Sequence, residues 1–164
     1  LLDSGYQGWL FRSEPLGSVN PRREGLNAFA DASKTRDGVM EENAEVPLHQ
    51  PEQLEKILRE FQQRHSDKHC AVMAANGALT LQVARALQRL DLRWGETIGL
   101  LGFDELEWAA LAGVGITTLK QPTWQIGYAA LEQVIARIDG NEQPIREQVF
   151  SGELIVRGSS QPLR

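Results

Sequence analysis

Cysteine is almost missing from these 164 residues, with Cys70 standing alone. A single thiol excludes an internal disulfide and any zinc site built on cysteines, and it fits a reducing compartment such as the cytoplasm. Long apolar runs are missing too: nothing approaches the roughly 18 consecutive apolar residues of a membrane span, so no membrane partner is expected. Positive charge is the minority sign, with 17 Lys and Arg against 22 Asp and Glu and a net charge of -5. Such a chain offers no basic field to a phosphate backbone, so DNA contact is not expected from this stretch itself. The chain opens at Leu1 without an initiator methionine, a basic leader or a signal-like run, and the expectation is a processed or excised piece of a longer protein.

Catalytic signatures are equally scarce. There is no GxSxG elbow, Walker loop or HExxH, and His49, His65 and His69 lack metal-ligand spacing with nearby carboxylates or the thiol. Gly113 and Gly115 make only a GxG, which more often marks a turn than a phosphate cradle. The expectation is therefore a non-enzyme with no cofactor and no metal; the competing catalytic reading is a small α/β enzyme using Asp104 and His49 as acid and base. Trp9, Trp94, Trp108 and Trp124 are too scattered for a base-stacking platform and read as packing or interface residues, and Cys70 reads as a small core residue.

What is present is the composition of an ordinary globular domain, 41% hydrophobic and 24% charged. Gln7 to Ser13 reads as a strand, and Asn20 to Ala32 as the helix after it. Glu45 to Leu48 is a weak strand candidate after a polar stretch, Asp37 to Glu45, that reads as a loop or edge. Pro51 opens a helix whose Leu54, Ile57, Leu58 and Phe61 repeat at i, i+3, i+4 and i+7. Cys70 to Ala75 and Thr97 to Phe103 are apolar on both faces, as fully covered strands are. The helix from Gly77 to Leu90 follows the first of them, and a short helix from Leu106 to Leu111 follows the second. Ile116 to Leu119 is a further strand, Pro122 begins a helix to Ile138, and Glu147 to Val156 alternates like one or two strands bent at Gly152. Alternating β and α elements with apolar strands predict a doubly wound parallel α/β sheet with helices on both faces. The last helix carries Trp124, Tyr128, Leu131, Ile135 and Ile138 beside Ile126, Ala130 and Val134, an arc too wide for one sheet face, so it calls for a second partner.

Ligands of open parallel sheets gather beyond the carboxyl ends of the strands. The residues there are Arg22, His49, Asn76, Gly77, Asp104, Glu105 and Gln121. Guanidinium forks, carboxylates and amides are the groups that hold a polyhydroxylated ligand, so the set points to a sugar site. Asn76 and Asp104 are also good helix N-caps, a structural role each could fill without any ligand.

The runs AVMAANGALTL (Ala71 to Leu81), IGLLGFDELEWA, GITTLKQPTWQIGYAALEQVIARIDG and GELIVRGSS, in that order and spacing, resemble the C-terminal half of the LacI/GalR regulator family, as do Arg22, Gly25 and Leu26 at the first helix. The resemblance implies a periplasmic-binding-protein-like sensor with two α/β lobes, a ligand in the cleft, an N-terminal helix-turn-helix and a homodimer. Operator DNA would be reached only through that absent head. Residues 1–120 would be the C-terminal subdomain, 121–150 a segment returning to the other lobe, and 151–164 the C-terminal strand and tail. Matched residue by residue, Arg22, Asn76, Phe103, Asp104 and Gln121 fall on ligand-contacting or cleft positions. Leu81 and Arg85 fall on the dimer-interface helix. The wording NGALTL, DELEW and GELIVRGSS is most similar to regulators of ketogluconate and related sugar acids. The same architecture serves sugar-transport binding proteins, the alternative reading. Gly77 departs from the family, where Asp commonly follows the Asn; losing a carboxylate there would suit an anionic ligand, or glycine would ease a tight turn.

Overall fold

A computed structural model describes residues 4–17, 20–35, 37–144 and 147–161, without the side chains of 20–22. The elements run β1 (Gly8–Ser13), α1 (Asn20–Ser33), β2 (Met40–Glu45), α2 (Pro51–Arg64), β3 (Cys70–Ala74), α3 (Gly77–Arg89), β4 (Gly99–Phe103), α4 (Glu107–Leu111), β5 (Thr117–Lys120), α5 (Thr123–Ile138) and β6 (Glu153–Ile155). A single 3-10 turn, Gly158–Ser160, follows. The strands form one sheet in the order β2-β1-β3-β4-β5-β6. All neighbours are parallel except β6, which returns antiparallel along β5 with Lys120 opposite Glu153.

The pattern of each segment explains its place. On one sheet face Leu10, Val72, Ala74 and Leu100 meet Leu54, Leu58 and Phe61 of α2 and Leu79, Val83, Ala86 and Leu87 of α3 in one buried cluster. Each large side chain there contributes about 1.5–3 kcal/mol by leaving water. On the other face Trp9 and Phe11 close on Phe29 of α1, with ring centroids 5.7 and 5.2 Å apart. Cys70 is buried at the start of β3, and desolvation pushes its thiol up to about 11. His65, also buried, places Nε2 2.8 Å from Glu42 Oε1 beside the amino end of β3.

One expectation needs correction. β2 lies in MEENAE, inside the stretch read as a loop or edge, and not over Glu45 to Leu48. It is an edge strand, so Met40, Glu41, Asn43 and Glu45 face solvent and only Ala44 is fully buried; exposed carboxylates on an edge also discourage pairing with another chain. The alternating tail yields one short strand, Glu153–Ile155, which begins just after Gly152. α5 carries the wide apolar arc read from the sequence, and none of its residues is buried. Trp124, Leu131 and Ile138 are 72%, 59% and 78% exposed. Among the described residues no helix is long and apolar enough to cross a membrane.

Candidate functional site

The strand order makes β1 the pivot of the sheet, with β2 added on one side and β3, β4 and β5 on the other. The crevice beyond the carboxyl ends at such a reversal is where doubly wound sheets hold ligands. The turns after β3, β4 and β5 meet there. Asp104, the residue following β4, takes φ of 68°, a left-handed conformation that a short polar residue tolerates, and its N–H donates to Leu119 O at 3.0 Å. This turn brings its carboxylate between two neighbouring junctions: Oδ1 accepts from Gln121 Nε2 at 2.6 Å and Oδ2 from the backbone N–H of Gly77 at 3.2 Å. Asn76 caps α3, its Oδ1 accepting from Leu79 N at 2.9 Å.

Asp104 thus ties Gln121 to the backbone of Gly77, and Asn76 caps the same helix start, so three junctions meet at one carboxylate. The capping expectation holds for Asn76 but shifts for Asp104. The Asp104 carboxylate satisfies the first N–H of α3, where the helix dipole favours a negative charge, while the N-cap of α4 is Leu106, which offers no side-chain cap. Phe103 ends β4, half-buried beside this group. Arg22 falls in the first turn of α1, after β1, and its side chain lies outside the described residues. On α3, Leu81 is half-buried and Arg85 exposed.

His49 is exposed on the loop after β2, and β1 and β3 stand between that strand and the β4 that delivers Asp104. Three strand spacings amount to about 14 Å, so the fold does not bring the proposed acid and base together. Gly77 is not in a positive-φ turn. It is buried as the first residue of α3, and an added Cβ would lie 2.6 Å from Leu106 Cδ1. A larger residue would have to push the Leu106 side chain aside, and this close approach replaces the tight-turn explanation.

Glu105 belongs to a different structure from the one expected. Its carboxylate is gripped by Arg157, with Nη2 to Oε1 at 2.5 Å and Nη1 to Oε2 at 3.1 Å, and it accepts a very short bond from Thr118 Oγ1. Arg157 also donates to Ile116 O at 2.8 Å. The guanidinium holds Glu105 below the usual carboxylate range, against the opposing effect of its partial burial. Ser159 continues the seam, donating to Leu100 O at 2.5 Å and accepting from Thr117 N at 2.8 Å. Arg157 carried no warning in the sequence, being 52 residues from its partner. Arg12 was also passed over, although a lone arginine in WLFRS was visible; it is completely buried at the carboxyl end of β1.

Surface hollows of about 690 and 510 Å³ run along α5 and between the end of α3 and Ala112 to Val114, and neither is lined by the junction residues. Among the described residues no cluster of three His, Cys, Asp or Glu side chains is placed to hold a metal ion.

Residues 6–160 match the periplasmic binding protein-like domain family. The chain is 37% identical over 158 residues to the HTH-type transcriptional regulator PtxS of Pseudomonas aeruginosa, covering 96% of this chain and 45% of that protein. It is 32% identical over 160 residues to the HTH-type transcriptional regulator KdgR of Bacillus subtilis, covering 94% of this chain and 46% of that one. It therefore spans a little under half the length of these regulators. A LacI family transcriptional regulator from Enterococcus faecalis, solved with bound ribose, superposes with a TM-score of 0.81 at 19% identity, over 99% of this chain and 58% of that one; at that identity the likeness speaks for the fold. With a family match over nearly the whole chain and HTH-type transcriptional regulators as its relatives in sequence, the chain belongs to the periplasmic binding protein-like domain family.

Proposed function

We propose that this domain binds a sugar or sugar acid, such as a ketogluconate, in the crevice above β1, β3, β4 and β5, and that binding controls a repressor's hold on operator DNA. The observation that carries the reading is the Asp104 carboxylate, held between Gly77 N–H and Gln121 at the rim where Asn76 also sits. Asp104, Asn76 and Gln121 hold hydroxyl groups, Phe103 offers an apolar face to the sugar ring, and Arg22 takes the carboxylate of an acidic effector. At about 4 Å and an effective dielectric near 20, such a charge pair has a Coulomb energy of roughly 4 kcal/mol before desolvation, enough to discriminate an acid from a neutral sugar.

Residues 1–120 form the C-terminal lobe, 121–150 reach toward a second lobe, and 151–164 return to the first. The exposed apolar side of α5 supports this division, since a second lobe would cover it. Closure of the lobes on effector biases the DNA-binding heads only if affinity differs between open and closed states. The protein acts as a cytoplasmic homodimer, with Leu81 and Arg85 of α3 at the interface and operator DNA contacted by an N-terminal helix-turn-helix. Its relation to named transcriptional regulators favours this reading over a transport binding protein.

Calorimetry on the intact protein tests the proposal. 2-Ketogluconate should bind at least tenfold more tightly than a neutral sugar of the same size, a difference of about 1.4 kcal/mol. Arg22→Ala should cost at least about 1.5 kcal/mol of that affinity. Equal affinity for acid and neutral ligand would remove the sugar-acid assignment, and binding unchanged by Arg22→Ala would take Arg22 out of the site.

A further inference from the structure

Arg12 occupies a position where its neighbours are aliphatic. Leu10 precedes it on the same covered sheet face and Ala44 and Ala74 flank it in register, yet Arg12 is buried there with no exposed surface. Burial pushes its pKa down to about 10, with nearby Glu14 opposing the shift, so it remains a cation at neutral pH. Its described hydrogen-bond acceptors are both uncharged. Nη1 donates to Ser13 O and Nη2 donates to Gln82 Oε1 at 3.2 Å, while Nε is buried without a partner among the described residues. An ion is costly in such surroundings, and an apolar side chain of similar volume would suit the core better. The position therefore calls for an explanation beyond packing.

The connections beyond Arg12 supply one. Gln82 uses its other end to donate to Leu48 O, in the loop between β2 and α2. Ser13 O, which receives Arg12, also receives Val46 N at 3.1 Å from the start of the same loop. Gln82 lies in the second turn of α3, the helix that begins at Asn76 and Gly77. The end of β1, the loop after β2 and the helix after β3 are thus linked, with Arg12 holding both Ser13 O and the Gln82 amide that reaches Leu48 O. Loops of this kind otherwise cost entropy to order when a ligand arrives.

We propose that Arg12 is a positioning residue for the effector site: acting through Gln82, it fastens the β2–α2 loop to α3 and presents a preformed rim to the ligand. The inference rests on the effector-binding reading above. Gln82→Glu separates the two halves of the connection, because a carboxylate still accepts from Arg12 but cannot donate to Leu48 O. Arg12→Met removes the anchor on Gln82 Oε1 and leaves the backbone bond from Val46 N to Ser13 O in place.

Hydrogen exchange and 2-ketogluconate calorimetry on the intact protein decide the matter. In Gln82→Glu the amides of Leu48, His49 and Gln50 should exchange at least tenfold faster, the Leu79 amide within α3 should keep its wild-type rate, and affinity should fall at least fivefold. Arg12→Met should reproduce the loop effect, and if it fails to fold, Arg12→Lys, which keeps a cation but has no fork to hold Ser13 O and Gln82 Oε1 together, is measured in its place. Wild-type loop exchange in Gln82→Glu overturns the proposal. Faster loop exchange with unchanged affinity also overturns it, since the connection would then be structural only. If the wild-type protein binds neither 2-ketogluconate nor neutral sugars, the effector reading itself falls, an outcome distinct from either failure of the connection.

Discussion

Replacing Glu105 by Gln keeps the shape of the side chain and removes the charge that Arg157 holds. In the variant the guanidinium retains its bond to Ile116 O but loses a bidentate anionic partner. Exposed ion pairs are worth about 0–1 kcal/mol, and removing one partner of a buried pair costs about 3–5 kcal/mol. The two side chains are 19% and 20% exposed, which places the pair between these limits. The expected loss is about 2 kcal/mol, or roughly 4–8 °C in thermal midpoint for a domain of this size. The loss must also depend on pH in a definite direction. Glu105 has a folded pKa below its ordinary 4.5, so its contribution is complete above that value and disappears as pH falls through the lowered one. The gap between wild type and Glu105→Gln should therefore be constant from neutrality down to about pH 5 and close in more acid solution. Urea denaturation across that range, with Arg157→Met and the double variant completing a cycle, measures it. A midpoint change under about 1 °C, or a gap undiminished at the acid end, would refute the reasoning.

Gly102→Ala should destabilise the domain by about 1–3 kcal/mol through overpacking, because the new methyl would sit 2.7 Å from Thr80 Cγ2. Gly127→Ala is its control, with nothing within 4 Å of the added carbon, and denaturation midpoints should separate the two. Cys70 should resist a thiol-specific reagent in the native protein near neutral pH and react only after unfolding, since it is buried and its thiol is pushed up to about 11. Prompt labelling without denaturant would show that β3 opens locally.

The parts of the fold that could be read in advance are those where one face decides the pattern. α2 announced itself because Leu54, Leu58 and Phe61 must share a side to be buried, and β3 and β4 because covered strands need apolar residues on both faces. β2 could not be read, since an edge strand with solvent on most of its side chains leaves MEENAE without a period. The rim was legible for a related reason. Asn76, Asp104 and Gln121 each follow a recognisable strand, and the topology then converts junctions far apart in sequence into neighbours. Pairings that depend on distance across the chain were invisible. Nothing near Glu105 or Arg157 predicts the other, and Gln82 gives no local sign that it joins Arg12 to Leu48.

The route of the chain between β5 and β6 bears on how such a domain could transmit a signal. These strands lie side by side and antiparallel, so the excursion carrying α5 departs after Lys120 and comes back at Glu153, at one edge of the sheet. Such a detour can swing as an arm while the register of the sheet stays intact, and polar replacements along it should leave the sheet's own unfolding untouched, since no α5 residue is buried in it. Its root is Gln121, whose amide grips Asp104. The foot of the excursion is therefore bonded to the rim carboxylate through a single side chain.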